Sequence, residues 1–347
     1  MPTTLSSVAA GSNLSGGGGA AGLSCPACTA TDTTLQRTHG IADAAAHFIP
    51  EGRDPDRYRR LCVQLGELFG SDHVDMWRCA ACGFWFADPF VAGTPEIYNL
   101  ITGGRARYPG NRFEFDRTLE ALGRGPVDLL EIGAGAGAFL SRARAAEITR
   151  RVCATAYDDR SLDALRAIPG VEAVKRSPQE LAGAGFGHFD AVCMFHVLER
   201  LDRLDDVFAS LRRLLATEGH LFVGVRNDAS VTVQEDLTGC WEMPPNHTGR
   251  WTRPALESVA ARHGLAVIDH RYESGHPLAA LWEMARCRCQ ARADRPKSLA
   301  GRVNALRVRA IRDPAKDALA AWDLLVLLPH YRGIPPRSQW FRLRIRR

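Results

Sequence analysis

No run of eighteen or more apolar residues occurs in the 347-residue chain, so a membrane-spanning helix is not expected. A basic flank followed by an apolar stretch is also missing at the N-terminus. No secretory signal is therefore read, and a cytoplasmic location is the default. In that reducing compartment the ten cysteines read as thiols or metal ligands before disulfides. Internal repeats are absent. Acidic residues are scarce at one end: residues 291–347 hold fourteen Lys/Arg against four Asp/Glu. The other 290 residues carry a net −5, so the overall +5 hides a basic tail. Such a tail meets nucleic acid, acidic lipid or a phosphorylated substrate, or is simply a solvated face.

What is present falls into four stretches. Residues 1–24 are mostly Ser, Gly, Ala and Thr with four glycines at Gly16–Gly19, and are expected to be a disordered leader. Residues 25–115 are rich in Cys, aromatics and turns, with an amphipathic helix over Asp54–Phe69 on the spacing of Tyr58, Leu61, Cys62, Leu65 and Leu68. From residue 116 to 290 strands and helices alternate. Strands are expected at Val127–Ile132, Val152–Tyr157, Phe189–Phe195, Gly219–Val225 and Leu265–His270, with a last one at Leu281–Cys289. Helices are expected at Ala136–Ala146, Ser161–Ala167, Leu204–Leu215 and Arg253–His263. That order predicts an α/β fold, a doubly wound, mostly parallel sheet covered on both faces. Residues 291–347 form the basic extension, expected to pack on the core.

Where the first strand meets its helix the chain reads Glu131-Ile132-Gly133-Ala134-Gly135-Ala136-Gly137. A turn without side chains lets a ligand lie against backbone at the sheet's C-terminal edge, with free N–H groups at the helix start. The Gly-x-Gly-x-Gly spacing differs from that of dinucleotide binders. Asp158 follows the next strand, twenty-one residues after Gly137, where a carboxylate is able to accept both hydroxyls of a ribose. The plain alternative is a tight turn of any α/β protein.

Glu131–Gly137 resembles the first motif of class I S-adenosylmethionine-dependent methyltransferases. Further matches follow in order. Phe189-Asp190-Ala191-Val192 resembles that family's fourth-strand motif, and His196-Val197-Leu198-Glu199-Arg200-Leu201 its HVLEH segment, with Arg200 where His is usual. Leu211–Leu215 and Gly219–Val223 resemble the helix and strand beyond. The resemblance covers about residues 116–290. It implies a Rossmann-like sheet of seven strands and S-adenosylmethionine as cofactor. Gly133, Gly135 and Gly137 would then pass under the cofactor's methionine and ribose, Glu131 would orient the turn or reach the methionine ammonium, and Asp158 would bind the ribose. Phe195 and His196 would line the methionine side; the alternative for His196 is a helix-start residue without chemistry.

Cys25-Pro26-Ala27-Cys28 and Cys79-Ala80-Ala81-Cys82-Gly83 are two C-x-x-C knuckles. Four thiolates make a closed tetrahedral zinc site, with Gly83 letting the backbone curl around the ion. The separation of the knuckles exceeds a usual zinc-ribbon interval, with the helix at Asp54–Phe69 as an insertion. A redox pair and unrelated thiols are the other readings. The pattern resembles ribbons in front of some sugar-modifying methyltransferases. Cys287-Arg288-Cys289, read on a strand, would point its thiols to opposite faces.

Methyl transfer needs an acceptor held in line, and a base where the acceptor must lose a proton. A long polar loop is read from Arg226 to Trp251, containing Cys240-Trp241-Glu242-Met243-Pro244-Pro245-Asn246-His247. His247 is the candidate base, with packing of the loop as its alternative; Glu242 is weaker. Tyr108 and Arg112 are candidates to close over the cofactor. The apolar run Ala318–Pro329 is expected to pack on the core or form a dimer surface rather than lie on a membrane, and Trp340–Arg347 to be an edge strand with one buried face. The reading is an enzyme that methylates a small-molecule acceptor, a sugar or nucleotide-sugar by analogy between front ribbons, with structural zinc. A nicotinamide oxidoreductase is disfavoured by the glycine spacing and by the lack of a Tyr-x-x-x-Lys-type pair. A nucleic-acid-binding or RNA-modifying protein using ribbon and tail is the alternative.

Overall fold

In the computed structural model, residues 22–103, 110–239, 242–275, 277–293, 297–306 and 308–347 are described. Most of the expected leader, together with Tyr108, Cys240 and Trp241, lies outside these residues. The strands are β1 Thr33–Gly40, β2 His73–Cys79, β3 Trp85–Asp88, β4 Val127–Ile132, β5 Thr149–Thr155, β6 Val171–Val174, β7 Phe189–Phe195, β8 Leu215–Arg226, β9 Gly249–Arg250, β10 Leu265–Tyr272 and β11 Ser338–Ile345. The helices are α1 Ile41–Phe48, α2 Pro55–Phe69, α3 Pro95–Thr102, α4 Phe113–Leu122, α5 Ala138–Ala145, α6 Asp159–Arg166, α7 Pro178–Gly183, α8 Leu204–Leu214, α9 Asp228–Thr238, α10 Arg253–Arg262, α11 Pro277–Ala293, α12 Leu299–Asn304 and α13 Arg309–Leu327. Among the described residues no helix is long and apolar enough to cross a membrane.

Seven strands form one sheet in the order β10-β11-β8-β7-β4-β5-β6. Strands β8, β7, β4, β5 and β6 run parallel, and β11 is antiparallel to both of its neighbours. The central strands β4 and β7 are apolar almost throughout because both faces are covered. On one face Phe208 and Leu211 of α8 and Leu256 and Val259 of α10 pack on Leu130, Val192 and Val223. On the other, Phe115 of α4 and Phe139 and Leu140 of α5 pack on Leu129, Ala191 and Phe222. The doubly wound, seven-stranded reading therefore holds.

A second sheet, antiparallel, has the order β1-β2-β3-β9. Its two-residue edge strand β9 comes from between β8 and β10 of the seven-stranded sheet, so residues 249–250 complete a unit begun at residue 33. Helix α2 covers this sheet. Asp54 caps it by accepting from the Arg57 N–H at 3.2 Å, Pro55 starts it, and Gly70 ends it in a left-handed conformation. Its buried stripe, Leu61, Leu65 and Phe69, meets Val74, Met76 and Trp85.

Three expectations are corrected. Leu281–Cys289 is not a strand but the middle of α11, because Leu281, Met284, Ala285 and Cys289 recur at helical spacing on one buried side. Cys287 and Cys289 therefore sit on a helix. The last strand, β11, is not an edge strand: it is inserted between β10 and β8, and Gln339, Trp340, Phe341 and Leu343 are buried. The arginines that alternate along it suggested exposure, but Arg342 lies against Phe222 and His220. The stretch from Arg226 to Trp251 is not one loop. It contains α9, started by an Asn227 cap and ended by left-handed Gly239, and then β9.

Candidate active site

The site is built at the C-terminal ends of the parallel strands. Strand β4 delivers Glu131, and the chain then turns through Gly133–Gly137 into α5. Gly133 adopts φ +69°, and a Cβ there would stand 2.5 Å from a methyl of Val197. The turn is fixed by Thr155 at the end of β5, whose hydroxyl accepts from the Gly133 N–H at 3.0 Å and whose carbonyl accepts from the Ala134 N–H at 2.9 Å. Glu131 is 3% exposed, and its Oε2 has no hydrogen-bond partner. Burial pushes its carboxyl well above the usual carboxylate range, against the pull of the Arg112 guanidinium. An orphaned buried acid beside a turn without side chains suits a ligand that brings a cation or N–H donors. Asp158 stands three residues past the end of β5 and caps α6. One carboxylate oxygen accepts from the Ser161 N–H at 2.8 Å, the other from its hydroxyl at 2.6 Å.

At the end of β7, Phe195 packs edge-on against Phe115 and Phe139. His196 then takes a left-handed backbone, φ +56°. Its N–H donates to the Gly224 carbonyl of β8 at 2.7 Å, which fixes the turn. The ring lies between two buried carboxylates. Its Nε2 is 2.9 Å from Glu114 Oε1, and its Nδ1 is 3.5 Å from Glu199 Oε1. Burial disfavours the charged imidazolium, but the two glutamates outweigh it and hold His196 above its ordinary value. Burial likewise works to raise Glu199, yet the His196 ring and the Arg226 N–H carry it down to about 2. Glu114 is also depressed below the usual range by His196, against burial. Sequence reading gave Glu114 no role. The signal available was a carboxylate flanked by Phe113 and Phe115 on the inward side of a helix start. Gly224 makes room for it, since a Cβ there would come 2.6 Å from Glu114 Cγ.

Strand β8 ends on Arg226, whose side chain fastens the segment bearing the candidate base. It donates to Glu242 and, at 2.9 Å, to Gln234 of α9. Glu242 in turn holds His247 Nδ1. Burial, reinforced by Arg200, Arg226 and His196, pushes the His247 ring down to about 3 despite the pull of Glu199. A neutral His247 donates its Nδ1–H to Glu242 and keeps a lone pair on Nε2, for which no hydrogen-bond partner occurs among the described residues. Tyr98 of α3 donates to the Pro245 carbonyl at 2.9 Å, tying down the same segment. The network continues outward. Glu235 of α9 accepts from the Glu242 N–H at 2.7 Å and forms a two-pronged pair with Arg250 of β9 at 2.6 and 2.9 Å. Buried charges thus run unbroken from the four-stranded sheet to the end of β7. Glu131, Gly133 and His196 stand at the ends of β4 and β7, and Asp158 follows the neighbouring β5, capping the α6 whose Leu165 lies against Gly137.

The four cysteines of the two knuckles come together. Their sulfurs lie within 4.8 Å of one another, with Cys25–Cys82 at 3.7 Å and Cys28–Cys79 at 3.5 Å. Four sulfurs around one ion at about 2.3 Å stand about 3.8 Å apart, so this soft donor set fits zinc. Each knuckle curls by a backbone bond, Thr29 N–H to the Cys25 carbonyl and Gly83 N–H to the Cys79 carbonyl. The cluster is anchored to the large sheet's helices. The Thr252 hydroxyl donates to the Cys82 carbonyl at 2.5 Å, and Arg262 of α10 donates to the carbonyls of Ala27 and Pro26 at 2.7 and 3.2 Å.

Comparison with known proteins bears on the same region. Residues 106–270 match a family described as a methyltransferase domain. A stretch of 179 residues is 31% identical to chondramide synthase cmdD of Chondromyces crocatus, spanning 45% of this chain but only 4% of that protein. Among solved structures the chain is similar to the cyclopropane synthase MmaA2 of Mycobacterium tuberculosis, with 16% identity, 66% of this chain, 82% of the other and a TM-score of 0.43. Another is the geranyl diphosphate C-methyltransferase of Streptomyces coelicolor A3(2), with 14% identity, 67% and 79% coverage and a TM-score of 0.41. The family match supports methyl transfer.

Proposed function

We propose that the protein transfers a methyl group from S-adenosylmethionine to a small-molecule acceptor, a sugar or nucleotide-sugar by analogy between front ribbons. The observation that carries the reading is the orphaned Glu131 carboxylate beside the Gly133–Gly137 turn, within the stretch matching the methyltransferase family. Gly133, Gly135 and Gly137 give the cofactor a bare backbone to lie on, Glu131 receives its ammonium group, and Asp158 accepts from the ribose while keeping its cap. Phe195 and His196 flank the methionine portion. Arg112, which bears on Glu131, Glu114 and Glu199, suits the methionine carboxylate. When bound, the cofactor supplies an electrophilic methyl group. His247 takes the acceptor's proton on Nε2, and Glu242 holds the ring in the tautomer that leaves this nitrogen free. Glu114 and Glu199 fix His196 beside it. Cys25, Cys28, Cys79 and Cys82 hold a structural zinc, a closed site with no position left for chemistry.

Calorimetric titration with S-adenosylhomocysteine tests this. Micromolar binding is expected, weakened tenfold or more by Asp158→Ala, about 1.4 kcal/mol, and also by Glu131→Gln. No binding by the zinc-loaded wild-type protein would sink the assignment as an active methyltransferase.

A further inference from the structure

Helix α13 is amphipathic in an unusual sense. Its inward side packs on α11 through Ala320 and Leu327 and buries Asp323, which pairs with Arg288 and Arg292 of that helix. Its outward side is apolar along its whole length. Ile311, Ala318, Trp322, Leu325 and Val326 share one side at helical spacing, and all are exposed, Trp322 by 63%. At 1.5 Å per residue the stripe from Ile311 to Val326 runs about 22 Å along the helix. Leu306 and Val308, also exposed, lead into it. Eight of the fourteen large hydrophobic side chains exposed among the described residues lie between residues 299 and 328. Single exposed apolar residues need no explanation, but a continuous stripe does.

The charge of the adjoining segment says what covers it. From Arg295 to Arg312 the chain holds six basic residues and no acidic one. On α13 itself Arg312 stands at the flank of the stripe, while Asp313 and Asp317 fall on the side turned away from it. A second copy of the chain would add a second segment of the same net charge to one assembly, and nucleic acid would leave the apolar stripe without use. An apolar face that carries a Trp and follows a basic segment of the chain matches the surface of an anionic bilayer, with hydrocarbon below and phosphate at the rim. We propose that α13 and the basic segment before it dock the protein on the surface of anionic phospholipid membranes, the stripe entering the headgroup boundary without spanning. The inference is independent of the proposed methyl transfer.

Sedimentation of the full chain with vesicles tests it. Vesicles of equal phosphatidylglycerol and phosphatidylcholine are expected to carry the protein down at low salt. Pure phosphatidylcholine vesicles, or molar salt, should leave most of it in solution. Leu325→Asp and, separately, Trp322→Ala should each weaken partition tenfold or more while leaving the thermal unfolding curve unchanged, since both side chains are exposed. Failure of the wild-type protein to bind the anionic vesicles overturns the proposal, as does binding that neither variant weakens. A solution mass near twice 38.0 kDa that Leu325→Asp returns to 38.0 kDa, without vesicle binding, would assign the stripe to a second copy instead.

Discussion

The two sheets are held together in different ways. The seven-stranded sheet is stabilised by burial spread over contiguous apolar strands, such as Val127–Ile132 and Phe189–Phe195, with helices on both faces. The four-stranded sheet has a smaller core under α2 and closes on a two-residue edge strand drawn from beyond β8. It is fastened at points: four clustered thiols, the Arg250–Glu235 pair, and the Thr252 bond to the Cys82 carbonyl. A core of many similar contacts tolerates the loss of one. A sheet whose smaller core is supplemented by single fastenings tolerates it less, and the same pins lead through Glu235, Glu242 and Arg226 to His247.

The largest expected effect follows from removing a pin that is a proposed zinc ligand. Structural zinc contributes on the order of 10 kcal/mol to small zinc-dependent units. Cys79→Ser is expected to abolish the metal measured by atomic absorption and to lower the melting temperature by more than about 10 °C. Cys153→Ala, equally buried but in the large sheet, should keep the metal and cost about 1–2 kcal/mol. A metal-free wild-type protein, or equal melting of both variants, would erase the contrast. Next in size is Glu235→Ala. It leaves the Arg250 guanidinium buried without its partner, at a cost of about 3–5 kcal/mol in urea unfolding; a loss below about 1 kcal/mol would show that the pair is not a pin.

The same contrast decided what was legible in the sequence. The large sheet's strands β4 and β7 were placed residue for residue, because apolar runs bounded by turns declare themselves locally. The glycine turn and the cysteine knuckles were equally plain, being short patterns whose chemistry is in the spacing. Strand β9 was not readable, since Gly249–Arg250 becomes a strand only by meeting Trp85 and Phe86 across the fold. Helix α9 was hidden in a stretch whose Val231, Thr232 and Val233 favour strands, and only its caps and the packing of Val231 and Glu235 make it a helix. The Glu114–His196–Glu199 cluster joins residues 82 and 3 positions apart, and a single sequence does not reveal such a meeting.

The glycine turn is a pin within the large sheet, and it sharpens the comparison. Gly133→Ala puts a Cβ 2.5 Å from Val197 on a residue with φ +69°. The conformational cost is about 1–2 kcal/mol and the overpacking about 1–3 kcal/mol. Stability should fall by roughly 2–5 kcal/mol, and S-adenosylhomocysteine binding should fall with it. Binding that stays at wild-type strength would detach the turn from the cofactor.

The smallest effect separates the two buried histidines. His247 is pushed down to about 3 by burial, so between pH 6.5 and that value the unfolded chain binds the proton that the folded one refuses. Stability from this group is complete above the unfolded value near 6.5 and is lost as pH falls below it. At pH 5 the loss is about 2 kcal/mol. His196 has the opposite sign: its raised value adds stability that is present below about 6.5 and fades as pH rises through its folded value. Glu199, depressed to about 2, adds stability that goes only as pH falls from about 4.5 toward 2. Urea unfolding of wild type and His247→Asn between pH 7 and 5 isolates the first contribution, since Asn does not titrate. The wild-type protein should lose stability on acidification by about 2 kcal/mol more than the variant. Parallel curves would mean that Glu242 keeps the His247 ring charged in the fold. His247 would then enter the site already protonated, unable to act as a base.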